Sequence, residues 1–348
     1  MGAKRKSMLA KPIVLKKMAN YRQAMKQGKY ALQLIELNYN NNCNFKCQHC
    51  FSKNLSKGER HLKLSDVRNL ADQAHELGVW QWHLQGGEPL LWPDLDDVLQ
   101  AIGTERFHVM ITTNGSLMTA ERAQRLAELG VDKISVSIDS LRPEFHDEFR
   151  CFPGALRKAK EALLYAWEAG LAVNINTVIT HQNIRGQELL DIVEFAEDNK
   201  FTMLFVIATS AGAWAGKTDM LISDEDAMHI LEMKKEHPII HRDLYPLFEF
   251  EWGCRTMNGL VYITENGELL SCPFIHISMG NVLDEPLKDI LARGWSVKHF
   301  RDYSPKCLAG EDRDFILRFM TKPIGKKGPV SFDEAFGPED LYNIEPIG

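Results

Sequence analysis

The sequence predicts an α/β protein: a partial (β/α)6 barrel with parallel strands inside and helices outside, followed by a small α+β module built on a β-hairpin. Three observations carry this. Short strand-like segments recur between helix-period segments up to about residue 210. Chemistry-bearing residues cluster just after the ends of those segments, where α/β folds place their sites. Beyond about residue 245 the pattern changes to two short strands around an Asn-Gly turn. Repeated βα units demand a parallel sheet with right-handed crossovers, and six of them are too few to close an eight-stranded barrel.

The elements follow in order. Residues 1–30 form a basic extension: nine Lys or Arg lie between Lys4 and Lys29, with no acid before Glu36. This reads as a solvated lead-in helix or as a docking site for an acidic partner. The core spans 31–245. Its first strand, over 32–38, runs into a cysteine loop, and Ser65 opens a helix carrying Val67, Leu70, Ala71, Ala74 and Leu77 until Gly78 ends it. Further strands are expected at 80–84, 107–112, 133–138, 172–178 and 202–207, with Gly130 and Gly170 closing two of the intervening helices. The module spans 246–322, with strands at 260–264 and 268–271 joined through Asn266-Gly267, a turn at Asn281-Val282 and a short helix near Leu287. The tail, 323–348, is rich in Gly, Pro and Lys at its start and reads as a surface loop.

Bulk properties narrow the function. A hydrophobic content of 45% supplies a full core, and a net charge of −6 gives no general reason to expect nucleic acid as a partner. No apolar run approaches the length of a membrane span and no signal segment is present, so a soluble cytoplasmic protein without a membrane partner is expected. Seven Cys is an odd number that suits a reducing compartment, and no structural disulfide is expected.

Cys43, Cys47 and Cys50 form a Cys-x3-Cys-x2-Cys loop directly after the first strand. Three soft thiolates at this spacing suit an iron–sulfur cluster with one iron left open. Zinc, with His49 completing the set, is the rival, but no companion Cys-x2-Cys knuckle occurs elsewhere. Gly86-Gly87-Glu88-Pro89 follows the second strand, Thr113-Asn114-Gly115 the third and Asp139-Ser140 the fourth, so all should face one cavity. Two glycines let a backbone approach a ligand closely, and a carbonyl or carboxylate beside them can accept bonds from an ammonium group.

Together these features resemble the radical S-adenosylmethionine (radical SAM) superfamily, over residues 32 to about 210. The resemblance implies that Cys43, Cys47 and Cys50 bind a [4Fe-4S] cluster whose open iron chelates the methionine moiety of S-adenosyl-L-methionine. It assigns Gly86, Gly87 and Glu88 to the methionine amine, Ser137 and Asp139 to the ribose hydroxyls and head group, and Asn114 and Thr112 more loosely to the same cavity. It further implies reductive cleavage to a 5'-deoxyadenosyl radical, hydrogen abstraction from a substrate, and an external one-electron reductant such as flavodoxin or ferredoxin.

The frame Cys254-x12-Gly267-x4-Cys272, with Cys307 later, is similar to the start of SPASM and twitch auxiliary-cluster domains. Full SPASM domains carry more cysteines, so the resemblance implies one auxiliary [4Fe-4S] cluster on Cys254, Cys272 and Cys307. The fourth site is open or filled by substrate or a non-Cys group such as Asp312. Cys151 lies in the loop after the fourth strand and is a candidate hydrogen-atom donor, by analogy with radical epimerases, against the plain reading of an inert loop thiol. The favoured substrate is a small molecule of sugar, cyclitol or nucleoside type undergoing dehydrogenation or epimerisation. Maturation of a ribosomal peptide is the second reading, and a non-catalytic iron–sulfur electron carrier the reading of another class.

Overall fold

A computed structural model describes residues 11–56, 58–242, 253–302 and 304–342. Its strands are β1 (Leu34–Leu37), β2 (Gln81–Leu84), β3 (His108–Thr113), β4 (Lys133–Ser137), β5 (Ala172–Ile179), β6 (Thr202–Ile207), β7 (Ile240–Arg242), β8 (Leu260–Ile263), β9 (Glu268–Cys272) and β10 (Ile275–Asn281). All ten join one sheet in the order β10-β9-β8-β1-β2-β3-β4-β5-β6-β7. β1 to β7 are mutually parallel, which is the expected curled half-barrel with one short strand more than the sequence suggested. Helices α1 (Pro12–Lys26), α2 (Leu64–Glu76), α3 (Leu95–Ile102), α4 (Ala120–Glu128), α5 (Pro143–Arg150), α6 (Ala155–Glu168), α7 (Gln187–Asp198), α8 (Asp224–Glu236) and α9 (Leu287–Ser296) punctuate the strands. Among the described residues, no helix is long and apolar enough to cross a membrane.

The helices form because their apolar residues repeat at helical spacing and point at the sheet. Val67, Leu70, Ala71 and Ala74 are the buried face of α2, and Ala155, Leu156, Ala159, Ala162, Leu163 and Ala166 that of α6. The small alanines let α6 lie close to its neighbours. Each βα unit therefore closes on a dry layer between helix and sheet, leaving the strands' other face to line the half-barrel's interior.

The hairpin of the C-terminal module is fused to this sheet. β8 runs parallel to β1, with Leu34 opposite Leu260 and Leu37 opposite Ile263, and β9 returns antiparallel. β1 would otherwise present a row of bare N–H and C=O groups, and β8 covers it. Gly267 makes the expected turn at φ +83°, its N–H donating to the Thr264 carbonyl at 2.9 Å. β10 follows only two residues after β9, where the sequence suggested no strand.

Two expectations about the ends are refined. The basic segment is the expected lead-in helix and is anchored along one face, while Lys16, Arg22, Lys26 and Lys29 stay exposed. α1 packs Val14 and Tyr21 against Trp80, and Lys17, only 7% exposed, donates to the carbonyls of Val79 (2.8 Å) and Arg106 (3.2 Å). Lys11 reaches the carbonyls of Phe107 and Gly130 and the Asp132 carboxylate. The amines thus satisfy backbone oxygens beside the strands' N-terminal ends. Residues 1–10 lie outside the described residues. The tail begins as the expected surface loop, exposed over 324–327, and then packs back onto the module: Val330 bridges to Ile277, and Ala335 and Phe336 are buried.

Candidate functional site

The loop after β1 carries Cys43, Cys47 and Cys50, all free thiols. It is held from several sides by the chain itself. The Phe45 N–H points at the Cys43 sulfur at 3.4 Å, the Ser52 hydroxyl lies 3.3 Å from the Cys50 sulfur, and the Arg150 side chain hydrogen-bonds Cys47. Burial pushes the Cys47 thiol up, and the Arg150 guanidinium works in the opposite direction. Three soft sulfur donors with N–H, O–H and guanidinium groups aimed at them fit an iron–sulfur cluster, whose thiolates need such partners. His49, weighed as a zinc ligand, instead stacks on Phe149 at 4.4 Å and tilts against Trp214. Among the described residues, no group of three or more His, Cys, Asp or Glu converges on a single-ion position.

The loops after β2 and β3 buttress this motif. A Cβ at Gly87 would collide with the Asn42 carbonyl, which accepts from the Glu88 N–H at 2.8 Å, and one at Gly86, at φ +141°, would collide with Asn38. The glycines therefore allow close approach to the segment entering the cysteine loop. Glu88, expected with Gly86 and Gly87 beside a ligand amine, has its carboxylate engaged within the protein. Its carboxylate is 1% exposed and accepts from Thr113 Oγ1 at 2.6 Å, the Leu90 N–H at 3.1 Å and the Asn114 N–H at 2.7 Å. Burial raises Glu88 to about 7, although each of those three donors pulls the other way. Asn114 also meets the cysteine motif: its amide donates to Asn44 at 2.9 Å and accepts from the Ser116 N–H.

Asp139 is also occupied. One carboxylate oxygen accepts from Arg150 Nε at 2.7 Å and the other from the Val178 N–H at 3.0 Å. Burial is the largest single influence and tends to raise its carboxyl, but the charges of Arg150, His49 and His146 and the Arg150 hydrogen bond together hold it below the usual range. Asp139 thus fixes Arg150, and Arg150 faces Cys47. Ser137 lies where the sequence placed it, 9% exposed on the wall of the cavity inside the half-barrel. Cys151 does not. It caps α5 in the left-handed region at φ +51°, is exposed, and points its thiol at the Glu148 carbonyl at 3.4 Å rather than into the cavity. A hydrogen-donor role for Cys151 is therefore set aside.

That cavity, of about 210 Å³, joins the two cysteine sets. One end is lined by Cys254, Cys272 and Cys307; His49 and Phe51 bring the flanks of Cys50 to its wall. Between them Leu34, Met110, Val178, Leu204 and Phe274 make the lining largely apolar. Phe51 meets Phe274 edge-on at 5.3 Å, so the aromatic residue after Cys50 touches the one that follows Cys272-Pro273. Cys307 is seated by its N–H donating to Glu311 at 2.8 Å, and Glu311 pairs with Arg242 on β7. Asp312, proposed as a fourth ligand, is instead the N-cap of the short helix Arg313–Phe315, accepting from the Phe315 N–H at 2.9 Å.

Sequence reading missed several cavity and positioning residues. Arg150 sits beside the suspected Cys151, and Glu36 and His83 lie within strands. The available signal was a charged residue inside an apolar strand, Leu34-Ile35-Glu36-Leu37, where an acid is seldom buried without a purpose.

Comparison with known proteins agrees with this geometry. The family model of the Radical SAM superfamily matches residues 37–198, and that of SPASM, an iron-sulfur cluster-binding domain, matches 254–309. The chain is 23% identical over 324 residues to the AdoMet-dependent heme synthase of Nitratidesulfovibrio vulgaris, covering 82% of this chain and 86% of that protein. It is 31% identical over 180 residues to the GTP 3',8-cyclase of Nautilia profundicola, covering 50% of this chain and 56% of that one. Among solved structures, SuiB of Streptococcus suis bound to precursor peptide SuiA superposes with a TM-score of 0.63 at 19% identity, over 80% of this chain and 69% of that one. Native anSMEcpe with bound AdoMet gives 0.59 at 16% identity, over 80% and 83%. At these identities the structures show the shared fold.

Proposed function

For this chain, a radical SAM protein with a C-terminal SPASM iron–sulfur domain, we propose the following reaction: hydrogen abstraction from a small molecule with a substantial apolar surface, followed by oxidation of that substrate. The observation that carries this is the single, mostly apolar cavity bounded by the Cys50 flanks at one place and by Cys254, Cys272 and Cys307 at another.

Cys43, Cys47 and Cys50 would hold the [4Fe-4S] cluster that binds S-adenosyl-L-methionine, and Cys254, Cys272 and Cys307 one auxiliary cluster. When reduced by an external one-electron donor such as flavodoxin or ferredoxin, the first cluster supplies a 5'-deoxyadenosyl radical. The chain's residues do the rest. Ser137 offers a hydroxyl to the S-adenosyl-L-methionine, and the backbone at Gly86 and Gly87 lies beside the loop that holds it. The apolar walls keep water from quenching a reactive centre and bind substrate by area. Cys254, Cys272 and Cys307 line the same cavity, so a cluster held by them would supply an electron acceptor beside the substrate. Because Cys151 points outward, oxidation is favoured over epimerisation, which needs a second hydrogen donor.

The mostly apolar surface of the lining also favours a substrate with substantial hydrocarbon area over a sugar or cyclitol, while Glu36, Gln81, Gln85 and Ser137 leave places for hydrogen bonds. It agrees better with the heme synthase relatives, whose similarity spans most of both chains. A peptide substrate is the second reading, favoured by the fold shared with SuiB, whose structure holds a precursor peptide. The test is anaerobic reconstitution with iron and sulfide, reduction by dithionite and addition of S-adenosyl-L-methionine. Formation of 5'-deoxyadenosine supports the reading; a fully loaded protein that forms none is an electron carrier.

A further inference from the structure

Across the half-barrel's inner face a row of polar side chains runs from β1 through β2 and β3 and reaches past β4 to β5. Asn176 on β5 donates to the Thr112 hydroxyl at 3.4 Å, Thr112 on β3 lies 2.7 Å from His83 Nε2, and His83 Nδ1 on β2 lies 2.9 Å from Glu36 Oε1 on β1. The carboxylate can only accept, so it is Glu36 that orients the row: His83 Nδ1–H gives its proton to Glu36 Oε1, and with the imidazole neutral Thr112 gives its hydroxyl proton to Nε2. The carboxylate is the terminal acceptor of the row, and nothing further along it donates. Its second oxygen, Glu36 Oε2, is buried and has no hydrogen-bond partner in the protein, while the residue is 7% exposed and lines the cavity.

A buried carboxylate oxygen left without a donor costs more than the other polar groups of this wall, and a hydrophobic residue at position 36 would remove that cost. We propose that Glu36 is the substrate-recognising group of the cavity. The substrate is then an otherwise apolar molecule bearing a hydrogen-bond-donating group, an amine or a hydroxyl, which binds Glu36 Oε2. His83, Thr112 and Asn176 are positioning residues that present the carboxylate. This rests on the cavity being the substrate site of the proposed reaction. It adds a polarity rule to the apolar lining: donors are accepted there and anions refused.

Calorimetric titration of the reconstituted full-length protein with hexan-1-amine, hexan-1-ol and hexanoate tests this without turnover. The amine and the alcohol should bind at least about tenfold more tightly than hexanoate, the size of one hydrogen bond to a charged group. Glu36→Gln should cut amine affinity about tenfold and narrow the gap to hexanoate. Thr112→Val, which loosens only the far end of the row, should have a smaller effect in the same direction. Hexanoate binding as tightly as the amine to the wild-type protein would overturn the proposal, and so would an unchanged amine preference in Glu36→Gln. Selective binding in a protein that forms no 5'-deoxyadenosine would leave this inference standing and remove the proposed reaction instead.

Discussion

Glu88 and Arg150 act on the cysteine loop by different routes. Glu88 is enclosed by donors from Thr113, Asn114 and Leu90, and burial lifts it from 4.5 to about 7. An acid whose pKa rises on folding favours the folded state in its protonated form. Its contribution is present below pH 4.5 and is lost as pH rises through about 7. Glu88→Gln should therefore flatten the pH dependence of unfolding free energy between those values, as measured by denaturant titration at several pH values; an unchanged slope would show that Glu88 titrates normally. Arg150 donates to Cys47 while Asp139 fixes it. A cation on a cluster thiolate stabilises the reduced state, so Arg150→Met should lower the first cluster's reduction potential in an anaerobic redox titration. Cys151, exposed and turned to Glu148, should be replaceable by Ala with formation of 5'-deoxyadenosine kept within about twofold.

At the scale of elements, what was legible depended on whether the determinant was local. The six core strands were readable because period-2 or continuous apolar segments alternated with helices whose faces repeat at 3.6 residues, and the hairpin because Asn266-Gly267 specifies its turn. The Cys positions were readable because chemistry and spacing travel together in eight residues. β7 was not: Ile240–Arg242 is three residues long and exists through its pairing with β6. The long-range partners of Glu88, Asn114 and Asp139 were likewise hidden, since the bonds Asn114–Glu88, Val178–Asp139 and Asn114–Asn44 span 26 to 70 residues. β7 has a use in the site. It carries Arg242, which pairs with Glu311, and Glu311 holds the Cys307 N–H; both side chains are 5% exposed. Removing one partner of a buried pair costs about 3–5 kcal/mol. Glu311→Ala should lower stability by about that amount, and the auxiliary cluster's spectroscopic signal should fall while that of the first cluster stays.

For the whole molecule, the decisive feature is that β8 pairs with β1, the strand that feeds Cys43. The C-terminal module is thereby welded to the core sheet, and Cys254, Cys272 and Cys307 open onto the interior of the half-barrel. Register joins the two cysteine sets: Leu34 lies opposite Leu260 on the edge that carries both segments. Neither stretch alone announces this, because a parallel pairing between residues more than 200 positions apart has no local signature. The iron content of three reconstituted proteins tests the two-site account most directly. Wild type should hold about eight irons per chain, and the triple Ala variants at Cys43, Cys47 and Cys50 or at Cys254, Cys272 and Cys307 about four each. Loss of all iron in either variant, or a wild type that stops at about four, would contradict it.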